Sequence, residues 1–71
     1  MKKIINLKID GMRCAHCANH AREALQNIDG VLKVKVDLEN AIAKVVENRD
    51  IPFEEFSKAI SEAGYVLVSI Q

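Results

Sequence analysis

Leu32-Lys33-Val34-Lys35-Val36-Asp37-Leu38 alternates apolar and charged side chains without a break. That period-two pattern marks a strand with one face on a core and the other in water. Glu39-Asn40 reads as the tight turn after it, although the favoured Asn-Gly pair is missing. Residues 41–47 form a returning strand, so the middle of the chain is a hairpin. Either Ala43 and Val45 or Ile42 and Val46 face inward there, and the first pair is taken as the core pair. Helical spacing flanks the hairpin on both sides. Before it, Cys17, Ala21, Leu25 and Ile28 recur every three or four residues, widened by Ala18 and Ala24, and predict a helix over 18–27 that closes at Gly30. After it, Phe56, Ala59, Ile60 and Ala63 make a second stripe, entered from Asp50 or Ile51 with Pro52 in the first turn and ended by Gly64. Glu54–Lys58 and Lys58–Glu62 are its expected outer-face ion pairs, each contributing a few tenths of a kcal/mol.

The outermost segments are strands again. Residues 3–9 put Ile5, Leu7 and Ile9 on one face; in the last strand Val66, Val68 and Ile70 oppose Tyr65, Leu67 and Ser69. The order is β-α-β-β-α-β. Two right-handed strand–helix–strand halves joined by a hairpin predict an α+β, ferredoxin-like two-layer sandwich, with a four-stranded antiparallel sheet and both helices on one face.

With 71 residues, 49% hydrophobic and 28% charged, the chain reads as one domain, residues 1–71, with a small core. Met1-Lys2-Lys3-Ile4-Ile5 imitates the start of a signal peptide, but Asn6, Lys8 and Asp10 interrupt the apolar run. No run reaches the length of a membrane span. A cytoplasmic protein without membrane insertion is expected, and Met1 at the strand start suggests a free-standing one. Net charge is zero, yet residues 1–35 carry seven Lys or Arg against three Asp or Glu, and residues 36–71 carry the reverse. No basic run or interleaved aromatic platform points to nucleic acid.

The chemistry lies between the first strand and the first helix, in Gly11-Met12-Arg13-Cys14-Ala15-His16-Cys17. Two thiols separated by two residues can close on one soft metal ion, form a disulfide or act as a redox pair. Cys17 falls at or inside the first helical turn, where unpaired N–H groups and the helix dipole favour thiolate. A thioredoxin-like redox module needs a longer chain and a larger sheet. No general base, nucleophile partner or phosphate loop accompanies the cysteines, so the chain does not read as an enzyme.

Gly11-Met12-x-Cys14-x-x-Cys17 after a first strand, with Gly30-Val31 opening the second and Ala63-Gly64-Tyr65 before the last, resembles the heavy-metal-associated domain. Within that family the chain is similar to CopZ-type bacterial copper chaperones and to metal-binding domains of copper-transporting P-type ATPases. The resemblance implies that Cys14 and Cys17 bind copper(I) and pass it on by ligand exchange. The receiver it implies is a copper-transporting P-type ATPase or a copper-responsive repressor. Copper(I) is soft and accepts few ligands, so two thiolates suffice. Zinc in a structural site wants four.

Met12, His20 and Tyr65 are secondary candidates. Met12 reads as apolar support under the loop rather than a third ligand. His16 reads as solvated. His20, three residues beyond Cys17, raises a minority reading of zinc(II) or cobalt(II) held by Cys14, Cys17 and His20. Tyr65 is the residue that family geometry places beside the cysteines; Tyr there is common in bacterial members. Docking is expected through the exposed loop and the basic first-helix side, and replacing Arg13, Arg22 or Lys33 by Glu is expected to slow transfer. Alternatives are a domain of the ATPase itself, a mercury(II)-binding transport protein, and a zinc, cobalt or redox CxxC module. Mercury(II), zinc(II) and cadmium(II) are further ions for the same pair in vitro. A monomer is expected without metal, and two exposed dithiols sharing copper would bridge a dimer.

Overall fold

β1 (Lys3–Asp10) is the strand on which the sheet is assembled: it pairs antiparallel with β3 (Ile42–Glu47) on one side and β4 (Val66–Ile70) on the other. β2 (Val31–Asp37) pairs antiparallel with β3 and gives the order β2-β3-β1-β4. α1 (Ala15–Gln26) and α2 (Phe53–Glu62) cover one face of this sheet. This computed structural model describes residues 2–71; the expectation placed on Met1 lies outside the described residues. The ferredoxin-like α+β sandwich expected from the strand and helix periods is the fold observed.

Burial explains the arrangement. Ile5, Leu7 and Ile9 point into the core from β1, and Ala43 and Val45 from β3, which settles the facing of that strand. Ala21 and Leu25 of α1 and Phe56 and Ile60 of α2 close over them. Each element has one apolar side, so only two stacked layers bury all of it. Among the described residues, no helix is long and apolar enough to cross a membrane.

Several local expectations give way to backbone geometry. Leu32, expected in the core, is exposed, and Val31 takes its place. The register steps from Val31 opposite Glu47 to Lys33 opposite Val46, so a β-bulge absorbs Leu32 and resets the alternation. A second bulge skips Val68: Leu67 faces Ile9, Ser69 faces Lys8, and Ile70 comes opposite the core residue Leu7. Pro52 is the extended N-cap of α2 rather than part of its first turn. The pairs Glu54–Lys58 and Lys58–Glu62 are not formed; the ion pairs among the described residues are Arg49–Glu55 at 2.8 Å and Lys3–Asp50 at 3.6 Å. Arg49 also donates from Nε to the Asp29 carbonyl at 2.9 Å, tying the α1–β2 turn to α2. Glu47, the last residue of β3, is 2% exposed on the face of Ala43 and Val45, and its Oε1 has no hydrogen-bond partner among the described residues.

The hairpin loop is longer than Glu39-Asn40 suggested. The N–H of Ala41 donates to the Leu38 carbonyl at 3.2 Å, and Ala41 itself has φ 57°. Left-handed backbone costs a Cβ-bearing residue about 1–2 kcal/mol, while glycine raises unfolded-state entropy by about 0.4–1 kcal/mol. Ala41→Gly is therefore expected to stabilise the fold by about 0.5–1 kcal/mol. Urea unfolding checks it: the midpoint should rise with an unchanged slope.

Candidate metal centre

β1 ends at Asp10, and Gly11 turns the chain with φ +105°. A Cβ built there would sit 3.2 Å from Cδ1 of Tyr65, so the glycine lets the tyrosine ring lie close against the loop. Met12 follows, 8% exposed and part of the core cluster, which pins the loop from below. Arg13 and Cys14 then emerge into solvent.

Cys14 is the extended N-cap of α1, with no side-chain cap hydrogen bond, and its carbonyl accepts the Ala18 N–H at 3.0 Å. The helix starts at Ala15, three residues before the expected start, so Cys17 lies within the first turn. One turn brings the two side chains together: Cys14 Sγ donates to Cys17 Sγ at 3.5 Å. Cys14 is exposed; Cys17 is half-buried and packs against the core. With thiolate–metal bonds of about 2.3 Å, as for zinc, a 3.5 Å separation subtends about 100° at the ion, and a straight two-coordinate arrangement requires about 4.6 Å. Cys14, free at the surface, can supply that opening by rotating its side chain.

The electrostatics favour the ligating form. The Cys17 thiol is lowered from 9.0 to about 7, first by a backbone hydrogen bond at Arg13, then by hydrogen bonds with the Tyr65 and Cys14 side chains. Tyr65 is correspondingly raised, because its hydrogen bond to Cys17 and burial both hold the phenol neutral. Tyr65→Phe is therefore expected to move the Cys17 pKa upward from about 7 toward 9.0. An ultraviolet thiolate titration reads it directly, and an unmoved midpoint would count against the tyrosine's part.

His20, exposed on α1, meets Tyr65 edge-on with ring centroids 6.2 Å apart. It does not join the thiols: among the described residues no three His, Cys, Asp or Glu side chains gather where they could hold a metal ion. His16 is exposed. Arg22 is on α1, its guanidinium bonded to Asn19 Oδ1 at 2.9 and 3.2 Å, whereas Lys33 is on β2 opposite Val46, on the uncovered side of the sheet. Arg13 is thus on the loop and Arg22 on the first helix, while Lys33 lies apart from them on the sheet. The part played by the Arg13 backbone and the His20–Tyr65 contact had no sequence signal, since both depend on how the loop closes.

A family model described as "Heavy-metal-associated domain" matches residues 6–66. The copper chaperone CopZ of Staphylococcus aureus (strain bovine RF122 / ET3-1) is 36% identical over 63 residues, covering 87% of this chain and 93% of that protein. A mercuric reductase of Acidithiobacillus ferrooxidans is 39% identical over 59 residues; the match takes in 83% of this chain but only 11% of the enzyme's length. Among solved structures, a copper binding domain from a P-type ATPase superposes with a TM-score of 0.84 at 31% identity, covering 100% of this chain and 99% of that one.

Proposed function

The chain belongs to the heavy-metal-associated domain family, and from that premise we propose that it is a copper(I) carrier whose Cys14 and Cys17 hold the ion and release it by ligand exchange. The observation that carries this reading is the pair of sulfurs 3.5 Å apart at an open helix start, and the hydrogen bonds that lower the Cys17 thiol to about 7 support it. Two ligands leave a soft ion under-coordinated. An incoming thiolate of a partner can bond before either cysteine lets go, so the ion passes through a three-sulfur stage. As the partner's thiol ionises, the released cysteine takes up a proton, and charge balances.

Each neighbour has a task in this reading. Met12 anchors the loop from the core, Tyr65 holds the Cys17 thiolate, and Arg13 presents its backbone to the same sulfur. None supplies acid, base or nucleophile to a substrate, which favours transport over catalysis. A copper-transporting P-type ATPase is the favoured receiver, and similarity to a copper binding domain of such a pump supports it. A cytoplasmic setting, with thiols kept reduced, suits two free cysteines this close.

Titration under strictly reducing conditions with copper(I), zinc(II) and mercury(II), each against a competing chelator, tests the reading. One copper(I) per chain, held more tightly than zinc(II), is expected. Mercury(II) is the second ion, favoured by the match to a mercuric reductase. Preference for zinc(II), or no copper(I) uptake, would sink the proposal.

A further inference from the structure

The uncovered face of the sheet has its own chemistry. Its side chains form a grid set by the register: Lys33 beside Val46 beside Ile4, then Lys35 beside Lys44 beside Asn6, then Asp37 beside Ile42 beside Lys8. Lys35 and Lys44 stand directly opposite each other on neighbouring strands. Like charges in that position repel and weaken the sheet. Relief is partial: Asp37, two positions along β2, attracts Lys35, but Lys33, Lys35 and Lys44 are exposed and none makes an ion pair or side-chain hydrogen bond among the described residues. Asp37 is the one carboxylate on this grid, held ionised by Asn40, whose Nδ2 donates to it at 2.8 Å and whose backbone N–H donates at 3.3 Å, and a single carboxylate does not balance the lysines around it.

Protection of a sheet edge accounts for part of this. β2 is an edge strand, and lysines there discourage pairing with another chain. Lys44 is on β3, which is paired on both sides, so that explanation stops short of it. Exposed Ile4, at 64%, adds an apolar contact at the border of the basic cluster. The acidic residues of α2 (Glu54, Glu55 and Glu62) belong to the opposite layer. A neutral chain thus presents a basic sheet face, fitted to a surface of opposite sign.

We propose that the open sheet face centred on Lys33, Lys35 and Lys44 docks a carboxylate-rich surface of a partner protein, and that this contact requires neither thiol. The electrostatic cost of setting Lys44 against Lys35 is retained because a partner's carboxylates relieve it. Docking here leaves the cysteine loop uncovered at the end of the sheet, so a partner can be held while the loop remains open for exchange.

Amide shifts of the isotope-labelled full chain, titrated with a glutamate-rich synthetic peptide at low and high salt, test this. Shifts confined to β2, β3 and the Ile4–Lys8 side of β1 are expected, alike with and without one equivalent of copper(I), and fading at high salt. Lys44→Glu should weaken peptide binding by about tenfold or more and raise the melting temperature, because it turns a repulsive pair into an attractive one; Lys44→Gln should fall between on both readings. Copper(I) affinity should be the same in all three proteins, so failure here is separable from failure of the copper reading. Shifts on the helices or the cysteine loop, binding indifferent to Lys44→Glu, or no binding at low salt would overturn the proposal. So would self-association through α2, or preference for anionic vesicles or duplex RNA over the peptide.

Discussion

Cys17→Ser is expected to lower copper(I) affinity by about a hundred- to a thousandfold. Four-ligand structural zinc sites in small peptides are worth about 10–16 kcal/mol, so one thiolate of such a set carries about 3 kcal/mol, or about two powers of ten. A two-ligand site spreads its energy over fewer bonds, which places the loss at or above that figure. The serine hydroxyl cannot replace the sulfur, because it does not ionise near neutral pH and is a hard ligand. Chelator competition at fixed pH measures the change; a loss under tenfold would remove Cys17 from the site. The pH dependence adds an independent check. Folding lowers the Cys17 pKa from 9.0 to about 7, so its ligating form is favoured above about 7 and is lost to protonation as pH falls through that value. Below about 7, affinity should drop by about tenfold per pH unit for this one proton. An ordinary thiol would start that descent at 9.0.

Phe56→Ala is expected to bring the apo protein close to unfolding. Phe56 is fully buried and the largest of the enclosed side chains. Removing such a ring costs about 3–5 kcal/mol. Total stability at about 0.05–0.15 kcal/mol per residue is about 4–11 kcal/mol for 71 residues, and small domains fall toward the lower end. The variant should therefore lose half or more of its stability in urea, followed by circular dichroism. Phe53, three positions earlier and 42% exposed, is the control: Phe53→Ala should cost about 0.5 kcal/mol or less. Equal losses would show that α2 does not pack by the face seen here.

Much of this was legible in the chain because it depends on neighbours in sequence. The alternation Ile5, Leu7, Ile9 and the stripe Phe56, Ile60 name buried faces without any tertiary knowledge, and all five are buried. The cysteines' place at a helix start follows from the strand before them and the helix after. Leu32 was misplaced for a physical reason: a bulge costs little in an edge strand and leaves no compositional mark. Glu47 went unread because no local rule puts a carboxylate in a core.

Residue order by itself determined the succession of strands and helices, the inward faces of most of them, and the two sulfurs one helical turn apart, since each of these is set within a few bonds. Only the folded chain decided that Tyr65 closes on Cys17 through the space left by Gly11, that His20 turns to Tyr65 rather than to the thiols, and that Lys35 meets Lys44 across two strands. Those contacts join distant segments, and their geometry follows from bulges, register and layer packing that no short stretch of sequence encodes.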